Sequence, residues 1–145
     1  MAKLEVTENQ LSLIQRALDF YSRVGIGQFD KIKEHPTFEK HLHKEFALEN
    51  GETDYTRYHS VRDAVDMALV HPRNMLYNRF DLGKNGSWGI HNPNVDDSCR
   101  EAFDIIQVIR HEFWKRDPER SDMTVDSSIH FTSESEESNK IKCEL

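Results

Sequence analysis

The chain has 145 residues, 37% hydrophobic and 31% charged, with a net charge of −7; this suffices for one domain with a modest core. The acidity is uneven, with eight acids against three bases from Asp117 onward and 18 against 16 before it, so no strongly basic face for wrapping duplex DNA is expected. No apolar run approaches the ~20 residues of a membrane span, and Met1-Ala2-Lys3-Leu4-Glu5 lacks the features of a secretory signal, which points to a cytoplasmic protein without membrane attachment.

Thr7-Glu8-Asn9-Gln10 has the spacing of a capping box, in which the Thr and Gln side chains satisfy two helix-start N–H groups. Leu11, Ile14, Ala17, Leu18 and Tyr21 then recur at helical period, predicting a helix from Glu8 to Val24 with Gly25 in the left-handed terminal position. A short amphipathic turn at Gln28–Lys33 closes at His35-Pro36. Residues 37–59 show no clear period and read as a mobile loop with short helical pieces and a turn at Asn50-Gly51. Ser60 is placed to cap a second helix with Val61, Ala64, Val65, Ala68 and Leu69 on its apolar face, ending at Pro72, which then starts a short helix through Phe80.

Gly83 to Pro93 is a loop by composition, with Asn85-Gly86 favouring a turn at positive φ. Asn94 or Asp96 then caps a long helix from Asp97 to Lys115. Val95, Cys99, Ala102, Phe103, Ile106, Ile109 and Phe113 lie along one side of it, and Asp117-Pro118 ends it. Met123, Val125, Ser127, Ile129 and Phe131 alternate with polar residues, predicting a strand. The expected fold class is therefore α+β, mainly α: three to four helices around the long one, with a small β element near residues 122–132. The globular domain spans 1–132, and residues 133–145 form an acidic, Ser-rich, disordered tail. Cys99 and Cys143 read as two free thiols.

At about 100° per residue, Asp96, Arg100, Asp104, Gln107, His111 and Trp114 share a narrow polar stripe of the long helix. Such a stripe reads as a solvated face with an i,i+4 Arg100–Asp104 ion pair, as a surface that grips phosphate and stacks on a base, or as a subunit interface. A lone Trp on a solvated face favours the second reading. The preceding loop adds Trp88, His91 and Asn92, where flanking glycines allow close backbone approach to a ligand; the other reading has Trp88 plugging the edge of the core and the glycines only making turns. Arg23-Val24-Gly25-Ile26-Gly27 lacks both the third glycine of a dinucleotide fingerprint and the Lys of a phosphate loop. His41-Leu42-His43 points its rings apart on a helix, and His111-Glu112 lacks the second His of a zinc hydrolase. Neither a metal, a cofactor nor a nucleophile elbow is indicated, and Asp96-Asp97 reads as capping residues.

Several phrases together resemble a family of small proteins encoded by bacteriophages and prophages. They are Leu18-Asp19-Phe20-Tyr21-Ser22-Arg23-Val24-Gly25-Ile26-Gly27-Gln28-Phe29, Asn85-Gly86-Ser87-Trp88-Gly89-Ile90, Val95-Asp96-Asp97-Ser98-Cys99-Arg100, Gln107-Val108-Ile109-Arg110-His111-Glu112-Phe113-Trp114 and Thr124-Val125-Asp126-Ser127-Ser128. The resemblance covers most of residues 10–130 and brings no catalytic motif. It implies, by analogy with small phage proteins that sequester the nucleotide signals of bacterial immunity, a cytoplasmic homo-oligomer acting by stoichiometric binding. Trp88 or Trp114 would stack on a base, Arg100 with Arg23 or Arg110 would meet phosphates, and Asn92, His91, Gln107 and His111 would complete the site. Two alternatives stay open: a protein–protein inhibitor using the same stripe, and a nucleotide or phosphoester hydrolase using His91, His111 and Asp97.

Overall fold

A computed structural model of the protein describes residues 3–119 and 131–144. It is mainly helical, with α1 (Glu8–Gly25), α2 (Pro36–Glu45), α3 (Tyr55–Leu76) and α4 (Asp97–Arg116), and 3₁₀ turns at Phe29–Glu34 and Ser138–Lys140. These residues fall into two compact units, one from Met1–Ile26 with Gly89–Leu145 and one from Gly27–Trp88. The expected strand lies almost wholly outside the described residues, and Phe131 and Thr132 are not in a strand. Among the described residues the β pairing is a single antiparallel bridge, Ala47 with Thr53.

In the first unit α1 packs against α4. The capping box forms as expected, with the Thr7 and Gln10 side chains each accepting from the other's backbone N–H. Leu11 from α1 and Val95, Cys99, Ala102, Ile106 and Ile109 from α4 and its approach are buried, each stabilising the unit by about 25 cal/mol per Å² of apolar surface removed from water. Tyr21 and Ser98 hydroxyls sit 2.6 Å apart at one end, and Arg116 pairs with Glu8 at the other, so the two helices run antiparallel. Gly25 closes α1 within the helix rather than in the left-handed conformation expected for it. Its requirement is closeness, since a Cβ there would collide with the Cys99 sulfur. The left-handed residue is Gly27, at φ +89.

α4 is buried on a second side too. Val108 and Asp104 are fully enclosed, and the segment around Thr132 to Ser138 lies over this side. Asp104 accepts hydrogen bonds from the Thr132 N–H (2.6 Å), the Thr132 hydroxyl (2.7 Å) and the Ser133 N–H (3.1 Å). Glu101 accepts from the hydroxyls of Ser133 (3.0 Å) and Ser135. Ser133 and Ser138 are themselves buried, so the acidic segment is anchored where its hydroxyls meet two helix carboxylates.

In the second unit the chain after His35, expected to be a loop with short helical pieces, begins with a ten-residue helix, α2. His35 is its N-cap and Pro36 its first residue, a position where proline loses no hydrogen bond. Asn50-Gly51 makes the expected turn, with Gly51 at φ +83 and the Asn50 side chain accepting from the Glu52 N–H. The cap of α3 lies six residues before the expected Ser60, at Asp54, which accepts from the Arg57 N–H. The helix also runs through Pro72 to Leu76. Proline there removes the bond to the Ala68 carbonyl, but Ala68 and Pro72 are both exposed, so the carbonyl lies on the side of the helix open to solvent.

The loop after α3 is held from inside. Arg73, 2% exposed, donates to the carbonyls of Leu82 (3.0 Å), Gly83 (2.6 Å), Lys84 (3.2 Å) and Gly86 (2.7 Å). Asn74 adds a bond to the Leu82 carbonyl. Gly86 takes its turn without the positive φ expected of Asn85-Gly86, because the guanidinium fixes the carbonyls directly. Lys33 and Lys84 both pair with the buried Asp66, tying the 3₁₀ turn and this loop to α3.

Candidate binding cleft at the start of the long helix

Asp96 caps α4, accepting from the Ser98 N–H at 2.9 Å and from the Ser98 hydroxyl; the hydroxyl and N–H of Ser98 hold the Asp96 carboxyl below the usual carboxylate range. One turn on, Arg100 bends back over this start. Its Nη1 donates to the Asn92 carbonyl (3.2 Å), and its Nε and Nη2 meet the same Asp97 oxygen at 3.1 and 2.5 Å. Asn92 in turn shapes the loop by accepting from the Asn94 N–H. The docked C-terminal segment supplies the facing wall. A cavity of about 510 Å³ results, lined by His91, Pro93, Asp97, Arg100, Thr132, Ser133, Glu134 and Ser135.

This volume lies in the range of small-molecule sites, but its lining is polar and mixed in sign. Arg100 is the cationic anchor. Asp97 and Glu134 oppose a highly charged anion, while the hydroxyls and the imidazole suit a hydroxylated or heteroaromatic ligand. The Arg100–Asp97 pair is labile, because the Asp97 side chain is 81% exposed and such pairs contribute little. A ligand anion can therefore replace Asp97 on the guanidinium. Burial pushes the Glu101 carboxyl behind the facing wall up, but the hydroxyls of Ser135, Ser138 and Ser133 more than offset this and leave it below the usual range.

The remaining expected site residues separate into other groups. Arg23 and Arg110 do converge, both on Asp19, at 2.7 and 3.3 Å, so much of their charge is already answered. Gln107 Oε1 and Arg110 Nε are buried without a hydrogen-bond partner among the described residues. His111 and Trp114 stack on one another, 5.8 Å between centroids at 17°. Trp88 belongs to the other unit, where it lies against Tyr77 at 4.1 Å, and its indole nitrogen is buried and unpaired among the described residues. Of the nine expected residues, the cleft thus gathers His91 and Arg100 in its lining and Asn92 just behind them.

No protein family, curated protein or solved structure matches the chain. The site therefore stands on its own geometry. Among the described residues no group of three His, Cys, Asp or Glu could hold a metal ion, and no helix is long and apolar enough to cross a membrane. His91 and Asp97 share the cleft, whereas His111, the third residue of the hydrolase alternative, is not in its lining.

Sequence reasoning missed Thr132, Ser133, Glu134 and Ser135. The available clue was Asp104, a carboxylate next to Val108 on a helix face that an apolar core does not claim. It called for donors, and the hydroxyl-rich segment could supply them.

Proposed function

We propose that the protein binds a small nucleotide-type ligand stoichiometrically in the cleft at the start of α4. The observation that supports this best is Arg100, a guanidinium poised at a helix N-terminus inside a cavity rich in hydroxyls; helix starts favour anions through unpaired N–H groups and the helix dipole. The charge balance narrows the ligand. Asp97 and Glu134 disfavour a triphosphate, but a phosphodiester, with one negative charge per phosphate, can sit on Arg100 while the carboxylates accept ribose hydroxyls. His91 is placed to contact a base. Cyclic nucleotides and ADP-ribose derivatives meet these requirements, and the resemblance to small phage proteins makes sequestration of such an immune signal the biological role that fits, an anti-defence function in a bacterial cytoplasm.

The test is a thermal-shift and native mass spectrometry panel with cyclic mononucleotides, cyclic dinucleotides and ADP-ribose. Expected is a stabilising shift with at least one of them, one ligand per site, and recovery of the ligand unchanged. Absence of any shift or bound species across the panel overturns the reading, and product release in excess of protein overturns its non-catalytic part.

A further inference from the structure

The hydroxyls of the cleft wall have a direction, because each carries one proton and two acceptor lone pairs. Thr132 Oγ1 has two acceptors in reach, the Asp104 carboxylate at 2.7 Å and the Arg100 carbonyl at 3.2 Å, so its proton is taken. Ser133 Oγ donates to Glu101 at 3.0 Å, and Ser135 Oγ donates to the same carboxylate oxygen. Glu101 is held below the usual carboxylate range, so it is ionised at neutral pH and can only accept. The backbone bonds run the same way. Ser133 Oγ accepts from the Ser135 N–H and Ser135 Oγ from the Ser138 N–H, both at 3.1 Å. None of the three hydroxyls has a proton left for a ligand, while each keeps a lone pair.

Ser133 is nearly enclosed, so the half-buried Thr132 and Ser135 present this surface to the cleft, with the exposed carboxylate of Glu134 between them. Every side chain of that wall is an acceptor. The donors lie at the helix start instead. Arg100 commits three N–H groups, two to Asp97 and one to the Asn92 carbonyl, which leaves two of the guanidinium's five for a ligand. The cleft is therefore polarised. A phosphate or a carbonyl is repelled from the wall, and a C–H edge strips its lone pairs of water without replacing the bonds.

We infer, on the basis of the nucleotide reading of this cleft, that it selects ligands which bring hydrogen-bond donors to Thr132, Glu134 and Ser135 while a phosphate sits on Arg100. A nucleotide has two sources of such donors, its ribose hydroxyls and the amino group of its base. A site built to hydrogen-bond a group rejects the analogue that lacks it far more strongly than an apolar pocket rejects a missing methylene.

Titration calorimetry with cyclic AMP, cyclic di-AMP, cyclic di-GMP and ADP-ribose tests this, each beside two analogues. One lacks the ribose 2′-hydroxyl, and the other has hydrogen in place of the amino group of the base. For a parent that binds, at least one analogue should bind about tenfold more weakly or worse, and which one does so identifies the donor on the wall. Glu134→Ala or Ser135→Ala should narrow that gap, since each removes an acceptor. Equal affinity for a parent and both its analogues overturns the inference and leaves the nucleotide reading standing. A gap unchanged in both variants places the discrimination off this wall and overturns it too. No binding by any parent overturns the nucleotide reading, and the inference with it.

Discussion

Replacing Asp104 with alanine tests whether the C-terminal segment is part of the folded cleft. The carboxylate is 0% exposed and answers three donors from Thr132 and Ser133. Hydrogen bonds to a charged group contribute about 1.5–3 kcal/mol each, but the sum is an upper bound. Once the segment lifts away, its N–H and hydroxyl groups regain water, so the loss cannot exceed the free energy of docking. A destabilisation of about 2–4 kcal/mol follows, in the range for breaking a buried polar network. Asp104→Asn should cost about half as much, because its remaining carbonyl oxygen still accepts both Thr132 bonds while its amide faces the Ser133 N–H. Urea unfolding gives the stability, and amide hydrogen exchange reads the Thr132 and Ser133 N–H groups directly. An Asp104→Ala protein with unchanged exchange at both amides and a loss under ~0.5 kcal/mol, the range of ordinary surface changes, would refute the docking.

Glu101 makes the same docking sensitive to acid. Its carboxyl lies below the usual range in the folded protein, so its contribution is complete above the ordinary glutamate value of about 4.3 and is lost as pH falls through the lower folded value. Glu101→Gln should flatten that acid limb in a pH series of unfolding midpoints; an unaltered limb would count against the contact. Gly25→Ala should destabilise by about 1–3 kcal/mol through overpacking against Cys99, and Cys99→Ala should relieve much of that penalty. Additive losses in thermal melts of the double variant would show that the two sites do not touch.

How much of this was legible depended on whether the deciding partner was local. The α1 start was readable because Thr7 and Gln10 satisfy each other within one turn. α4 was readable because Cys99, Ala102, Ile106 and Ile109 keep a strict helical period. α3 was harder. Tyr55 to His59 is aromatic and polar with no clear period, which hid the Asp54 cap, and Pro72 carries the usual mark of a helix end. Only its solvent-facing placement makes it tolerable. In the cleft, His91, Asn92 and Arg100 were accessible because the loop and the helix start are neighbours in sequence. Thr132 to Ser135 were not, since Asp104 lies 28 residues from Thr132 and an acidic Ser-rich stretch otherwise reads as solvated. Trp88 could not be assigned between its two readings for a related reason: its contact with Tyr77 comes with Arg73 gathering four carbonyls of the intervening loop, an arrangement with no sequence period.

Isothermal titration of the purified chain with the ligand that gives the largest thermal shift, beside Arg100→Ala, tests the cleft most directly. Saturable binding to the wild-type protein is expected, weakened at least about tenfold in the variant, a loss of about 1.4 kcal/mol or more, with the fold intact by circular dichroism. Equal affinity in the two proteins would place the ligand elsewhere and contradict the assignment of the cleft.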